Sequence, residues 1–539
     1  MSEPLLPVPA PLPADNPSLT RRAFLAGAGA LVATSALPSG VATLPASDIS
    51  DLTLASAGAR MASGATTSQA LTAAFLERIA ACDRAGPMLR AVIEVNPDAL
   101  AIAAALDAER KAGKVRGPLH GVPILVKDNI GTADRMSTTA GCLALEGQRP
   151  GQDAALVRAL RDAGAVLLGK TNLSEWANFR SSNAVSGWSS RGGQTRNPYA
   201  LDRSPSGSSS GSAVAVAVGY CVAAIGSETD GSITSPAACN GLAGLKPTLG
   251  LVSRSGIVPI AHSQDTAGPM ARSVADCALL MNAIARGDPG DAITVARGVP
   301  RDIDFASQLG RRDFKGVRLG VGRQYFGVNE KADAIVEAGL RVMRDLGAEL
   351  VDVEIPTFGK FDDAEFDVLL FEFREDLGRY FRTHMPQGPF KSLADVIEYN
   401  ARNAPAMMPI FGQDIMVKAW DKGPIDSPAY RAALAKCRRM SQRDGIDATL
   451  RKHRVEAIVA LTSPPPWFID PINGDASRGG CTTMPAVAGY PHVTVPAGFA
   501  VGLPVGLSFF GAPFSDAKLL GFAAAYERAT NARRPPGIA

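Results

Sequence analysis

Helical periodicity alternating with short apolar runs predicts an α/β protein for this chain of 539 residues: a large mixed β-sheet core, covered by helices on both faces, in a single large domain. Three observations carry that expectation. Amphipathic stretches recur at helical spacing, the runs between them are short and almost wholly apolar, and neither an internal repeat nor a low-complexity linker interrupts the chain after residue 46. Strands that are apolar on both faces belong to a sheet that helices cover.

Taken in order, Ser18-Leu-Thr-Arg-Arg-Ala-Phe-Leu25 sets Arg21 and Arg22 before the weakly apolar run Ala23 to Leu37, with small residues near Gly40-Val41-Ala42. That run is too short for a mature membrane span, for which about 20 residues are needed. It resembles a twin-arginine export signal, so residues 1–46 are read as signal and leader, and the periplasm, or the exterior, as destination. The domain is expected over 47–539. Thr67 to Arg84 places Leu71, Phe75, Ile79 and Cys82 on one helical face. Pro97 to Lys114, Asp153 to Ala165 and Lys331 to Gly347 repeat the pattern. The β-type runs are Ala91–Val95, Val122–Val126, Ala165–Leu168, Val317–Val321, Ala457–Leu461, Val493–Val495 and Val505–Phe510. Residues 361–443, richer in charge, aromatics and Met, read as a helical insertion near a substrate pocket.

Composition excludes several functions. Apolar residues make up 46% and charged residues 20%, which describes a folded globular chain. A formal net charge of +3 with no long Lys/Arg run gives nucleic acid or an anionic membrane little to bind. The seven cysteines are scattered and none forms CxxC, so no disulfide framework is expected. The five histidines lie far apart without HExxH, so neither a metal nor another cofactor is expected. A monomer or homodimer is compatible with all of this.

Chemistry concentrates in two loops. Ser204-Pro-Ser-Gly-Ser-Ser-Ser-Gly-Ser212 has a linker's composition, yet Ala213 to Ala224, directly after it, is small and apolar and reads as one buried element. That element ends in Gly226-Ser-Glu-Thr-Asp-Gly-Ser-Ile-Thr234, a second loop dense in hydroxyls and acids. Two Ser-rich loops tethered by a buried element can hold their serines together. Gly207-Ser-Ser-Ser-Gly211 also matches the GxSxG nucleophile elbow, which requires an apolar strand before it. Asn197 to Ser206 are turn formers instead, so the elbow fails on context.

With Lys127 in Val122-Pro-Ile-Leu-Val-Lys-Asp-Asn129, these loops resemble the amidase signature family, whose motifs appear in order. Gly244-Leu-Lys-Pro-Thr248, Ser263-Gln-Asp-Thr-Ala-Gly-Pro269 and Gly502-Leu-Pro-Val-Gly-Leu507 extend the match over roughly residues 50 to 530, most weakly between about 290 and 450. The tract Ser186 to Tyr199 looks like the bacterial peptide amidase branch. The resemblance implies a catalytic Ser–Ser–Lys triad: Ser232 as nucleophile, Ser208 as bridging hydroxyl and Lys127 as base. It also implies an oxyanion hole from the backbone N–H groups of Thr229, Asp230, Gly231 and Ser232, a cis peptide between Gly207 and Ser208, and support from Ser209. A small-molecule or peptide amide would then be the substrate, with a C-terminal peptide amide favoured and aryl, aliphatic or cyclic amides as alternatives. Many members carry an Arg two residues after the nucleophile where this chain has Thr234, so its local charge network must differ.

A lysine at its ordinary pKa of about 10.4 cannot act as a base at neutral pH, whereas burial in an apolar setting lowers it. Asp128 would face away from Lys127 if the strand continues. Glu228 and Asp230 read as anchors of the second loop, Asp265 and Arg272 as an ion pair, and Trp188 and Trp467 as core. A Ser–His–Asp esterase and an amidase-like binding protein without catalysis are the readings from other classes.

Overall fold

The computed structural model describes residues 49–477 and 479–538, so the Arg21-Arg22 segment lies outside the described residues. The strands are β1 (Val92–Val95), β2 (Pro123–Lys127), β3 (Val166–Thr171), β4 (Trp188–Ser189), β5 (Gly193–Gln194), β6 (Ala223–Glu228) and β7 (Ala243–Lys246). Then follow β8 (Thr266–Ala271), β9 (Arg318–Gly322), β10 (Glu349–Val353), β11 (Ala457–Leu461), β12 (His492–Ala500) and β13 (Leu503–Gly511). Eleven of them form one mixed sheet in the order β1-β3-β2-β6-β8-β7-β12-β13-β11-β9-β10, while β4 and β5 pair as a small ribbon. β2 runs parallel to β3 and β6, and β9 parallel to β10 and β11; the other pairings are antiparallel.

All seven apolar runs read from the sequence are strands of this sheet. Ile124 to Val126, Val166 to Leu168 and Ala457 to Leu461 are buried on both faces, which is why they lack polar alternation. The four expected helices form at Ser68–Cys82, Ala99–Lys111, Ala155–Asp162 and Glu330–Asp345. Side chains begin several helices: the oxygens of Thr67, Ser273 and Asn329 accept from Ala70, Asp276 and Ala332 N–H. Residues 361–443 begin with the 23-residue helix Asp362–His384 and carry further helices at Leu393–Arg402, Asp414–Trp420 and Pro428–Arg438. Leu369, Phe373, Leu377 and Phe381 of the first of these bury against Trp176 and Phe179 in a second apolar cluster beside the main core.

One expectation is corrected. Ala213 to Ala224 is not one element but the end of helix Ser210–Ala217, a turn at Val218–Val222, and the start of β6. Its small apolar residues are uniformly buried, so neither helical nor strand periodicity is visible in them. The helix packs across β2, β3, β6 and β8 and carries the first Ser loop at its N-terminus, while β6 delivers the second loop at its C-terminal end. β2, parallel to β6 with Val126 opposite Ile225, brings Lys127 to that same end. The sequence neighbour β3 lies on the other side of β2, so the loops meet where strand order reverses, the place at which α/β sheets open a crevice.

Close approach of helix Ser210–Ala217 to the sheet requires Gly211, where an added Cβ would lie 2.2 Å from Ala91 O and 2.6 Å from Asn172 O. Both obstacles are backbone. Gly211→Ala is expected to destabilise the fold by about 1–3 kcal/mol in denaturant unfolding. Gly58→Ala, in helix Leu54–Ala62 with open space around its Cβ, is expected to be neutral or slightly stabilising.

Candidate active site

Lys127 closes β2 with no exposed surface. Its Nζ lies 2.7 Å from Ser208 Oγ, 2.9 Å from Ser227 Oγ and 3.1 Å from Ser227 O. Burial pulls its pKa down to about 7, against the opposing charges of Asp265 and Glu228. A neutral amine has two N–H donors and one lone pair. Ser227 offers two acceptors for those donors, which directs the lone pair at Ser208 Oγ. Asn129 donates from Nδ2 to Ser227 Oγ at 2.9 Å and so fixes that hydroxyl. Asp128 turns away: its carboxylate accepts from Thr139 Oγ1 and Gly141 N–H and stands 3.8 Å from Arg191.

The first loop is wholly built in. The Gly207–Ser208 peptide is cis, and a Cβ on Gly207 would collide with Ser174 Oγ at 2.3 Å. Ser208 O accepts from Ser174 N–H at 3.1 Å. Ser209 N–H donates to Ser232 O at 3.1 Å, tying the two loops directly, and Ser209 Oγ donates to Ser227 O at 3.1 Å. The Ser209 hydroxyl therefore meets the end of β6 rather than Lys127 or Ser208. Chain before Ser208 is irregular, with Arg203 in an isolated bridge to Phe468, and provides no elbow strand.

The second loop turns at Gly231, where φ is +76° and Thr482 lies across the position a Cβ would take. Ser232 is buried beside it. Glu228 accepts from Ile233 N–H at 2.8 Å and Thr234 N–H at 2.9 Å, while Asp230 accepts from Thr483 Oγ1 at 2.7 Å. Both acids anchor the loop, as read from the sequence. Thr234, in place of an arginine, donates to Glu228 from both its backbone N–H and its hydroxyl, and buried Lys246 contributes the positive charge nearby. Asp265 and Arg272 do not pair. Arg272 donates to the carbonyls of Leu52, Val216 and Cys221, while Asp265 accepts from Thr229 Oγ1 at 2.6 Å. Sequence order hid this because β8 carries the two residues to opposite ends.

A cavity of about 220 Å³ opens beside Asn129, Ser227 and Thr229, with Asp376, Arg379 and Tyr380 of helix Asp362–His384 on its far wall. His262 Nδ1 there lies 2.7 Å from Asp376 and 3.4 Å from Glu372, a cluster that distance in sequence concealed. Among the described residues it is the one group able to hold a metal ion. Its carboxylates are already occupied: Asp376 by His262 N–H and Arg379, Glu372 by Ser263 N–H and Tyr430 OH. Against the effect of burial, the two acids raise the proton affinity of His262. His262 Nε2 faces Tyr430 OH at 3.4 Å, not a serine, and His492 is buried against Ser508 Oγ. Neither arrangement forms a Ser–His–Asp triad. Trp188 packs edge-on to Phe411, and Trp467 Nε1 donates to Asp475 at 2.9 Å, so both lie in the framework.

Ser227, Asn129, Thr482 and Thr483 were not singled out in the sequence. Ser227 lies in a strand buried throughout, where no alternation marks it, while Asn129 lies two residues past Lys127. The threonines reach the loop through tertiary contacts alone, which leave no local signal.

Residues 70–520 match the family model described as Amidase. The chain is 39% identical, over 87% of its length and 88% of the relative's, to a protein of Arabidopsis thaliana named as a probable amidase. It is 38% identical to a glutamyl-tRNA(Gln) amidotransferase subunit of Myxococcus xanthus, covering 89% of this chain and 97% of that one. Among solved structures it is similar to the native peptide amidase from Stenotrophomonas maltophilia, with 51% identity and a TM-score of 0.85 over 90% of this chain and 98% of that one. A peptide amidase in complex with the competitive inhibitor chymostatin gives 50% identity and a TM-score of 0.88, over 91% and 100%. The chain therefore belongs to the amidase family, and it is an amide-hydrolysing enzyme.

Proposed function

We propose that the protein releases ammonia from C-terminal peptide amides by a Ser232–Ser208–Lys127 relay. The observation that carries the mechanism is the 2.7 Å contact between Ser208 Oγ and a lysine whose pKa burial brings to about 7. Ser232 Oγ attacks the carbonyl carbon, passing its proton to Ser208 Oγ as Ser208 passes its own to Lys127 Nζ. N–H groups of Thr229 to Ser232 receive the developing oxyanion; one such donor contributes about 3 kcal/mol. The relay then runs backward, protonating the departing nitrogen, and ammonia leaves an acyl-enzyme. Water, deprotonated by the same relay, cleaves that ester to the free carboxylate and restores Ser232. Similarity to the peptide amidase structures at 50–51% identity supports peptide amides as the substrate class.

Lys127→Ala and Ser232→Ala are each expected to lower kcat/KM for a peptide amide by about 10³-fold or more. Single replacements of His262, His384, His453 and His492 should each leave most of the activity. A fluorophosphonate should label Ser232 in the intact protein, as read by peptide mass spectrometry. An unlabelled protein would favour binding without catalysis. In a screen that reads ammonia from peptide amides and simple carboxamides and the released aniline from anilides, peptide amides should outrun the other two; a preference for anilides would overturn the substrate assignment.

The pH profile follows from Lys127, which is a base only when unprotonated. Below its pKa the amine is charged and the relay has no acceptor; above it the relay is competent. kcat/KM is thus expected to rise with pH through about 7 and then level off.

We also propose export through Arg21-Arg22. Changing both to Lys should hold the full-length protein in the cytoplasm of a bacterial host with a twin-arginine pathway, as read by cell fractionation.

A further inference from the structure

Asp265 is a carboxylate that the relay does not use, yet it touches the relay's surroundings from two sides. Oδ1 accepts from Thr229 Oγ1 at 2.6 Å, which fixes the first residue of the oxyanion loop. Oδ2 accepts from the N–H groups of Ile260 and Ala261 at 2.8 and 3.0 Å, closing a turn against the cavity wall. That turn is clamped from its other face, where His262 N–H and Ser263 N–H donate to Asp376 and Glu372 of helix Asp362–His384. Asp265 is thus held by both the sheet and the helical segment, with little freedom to move.

We propose that Asp265 is a positioning residue of the amidase reaction: it fixes Thr229 in the oxyanion loop and stands as a counter-charge to Lys127. The proposal rests on the relay above and adds a residue to it. Its electrostatic side follows from what faces each group. Lys127 feels two carboxylates, Asp265 and Glu228, and Asp265 acts the more strongly. Glu228 is shared with Lys246 and two backbone N–H groups. Around Asp265, Arg254 is committed to Asp291, and Asp376 is committed to His262 and Arg379. Among the described residues Asp265 forms no ion pair of its own, and its charge acts on Lys127 as well as on Arg254. Its own carboxyl, pushed up to about 6 by burial, is mostly ionised at the midpoint of the Lys127 titration, near 7. Burial alone would drive Lys127 further toward the neutral form. A counter-charge restores enough proton affinity for the amine to take a proton from Ser208 rather than sit permanently unprotonated.

Asp265→Asn separates charge from shape, because the amide oxygen can still accept from Ile260 and Ala261 while the Thr229 hydroxyl accepts from the new NH₂. Its acid limb of kcat/KM should move to lower pH by roughly half a unit or more. Thr229→Val, which removes the hydrogen bond but no charge, should lower kcat several-fold and leave that limb in place. Asp265→Glu, keeping the charge, should also leave it in place. Should Asp265→Asn not fold, as read by circular dichroism, Asp265→Ser carries the same expectation. An unmoved limb in a folded, uncharged variant would overturn the role of Asp265. The two ideas fail separately: a Lys127→Ala enzyme with near-normal turnover would remove the relay itself, whereas an inactive Lys127→Ala beside an unmoved Asp265→Asn limb would remove only Asp265.

Discussion

The contact on which the rest of the molecule depends is the hydrogen bond between Lys127 Nζ and Ser208 Oγ, made where the lysine has no exposed surface. An ammonium ion placed there loses its hydration, and the three oxygens around it replace only part of it. The balance falls near neutrality because desolvation pulls the pKa down while Asp265 and Glu228 pull it up. Without burial the amine would stay charged, and without the counter-charges it would hold a proton less tightly. Much of the surrounding architecture can be understood as keeping water away from this nitrogen while keeping Ser208 beside it.

Sheet topology meets that demand. Parallel pairing of β2 with β6 sets the lysine and the second loop at one edge, and helix Ser210–Ala217 returns the first loop to the same place. Ser209 N–H to Ser232 O then joins the loops through backbone, which does not depend on any side-chain rotamer. From outside, Thr482 lies over Gly231 and Thr483 holds Asp230, so the approach to β12 also shapes the loop at 229–232. Two other buried lysines show what a different setting does. Lys170 donates to Ile130 O and Thr138 Oγ1 among nearby carboxylates, and Lys246 donates to Pro247 O near Glu228 and Asp516. Burial lowers both to about 8, and the nearby carboxylates oppose it.

Much of this was legible in the chain. The apolar runs named their strands because both faces of each are buried, and Lys127, Ser208 and the Ser232 loop stood out through ordered motifs. What stayed hidden shares one cause, namely that the determining contact is remote in sequence. Ala213 to Ala224 gave no sign of its helix-to-strand break because uniform burial erases periodicity. An ion pair between Asp265 and Arg272 looked natural at seven residues' separation, but β8 extends between them and sends them apart. His262 joins Glu372 and Asp376 only because helix Asp362–His384 packs over the turn at 260–263.

Everything proposed for the relay requires Lys127 to be a neutral amine near physiological pH, and titration of that one side chain tests the requirement most directly. With lysines labelled at ¹³Cε, the Lys127 resonance can be assigned by its loss in Lys127→Met and followed by NMR from pH 5 to 11. The expected midpoint is near 7, below those of Lys170 and Lys246. A midpoint above 10, as for a solvent-exposed lysine, would contradict it.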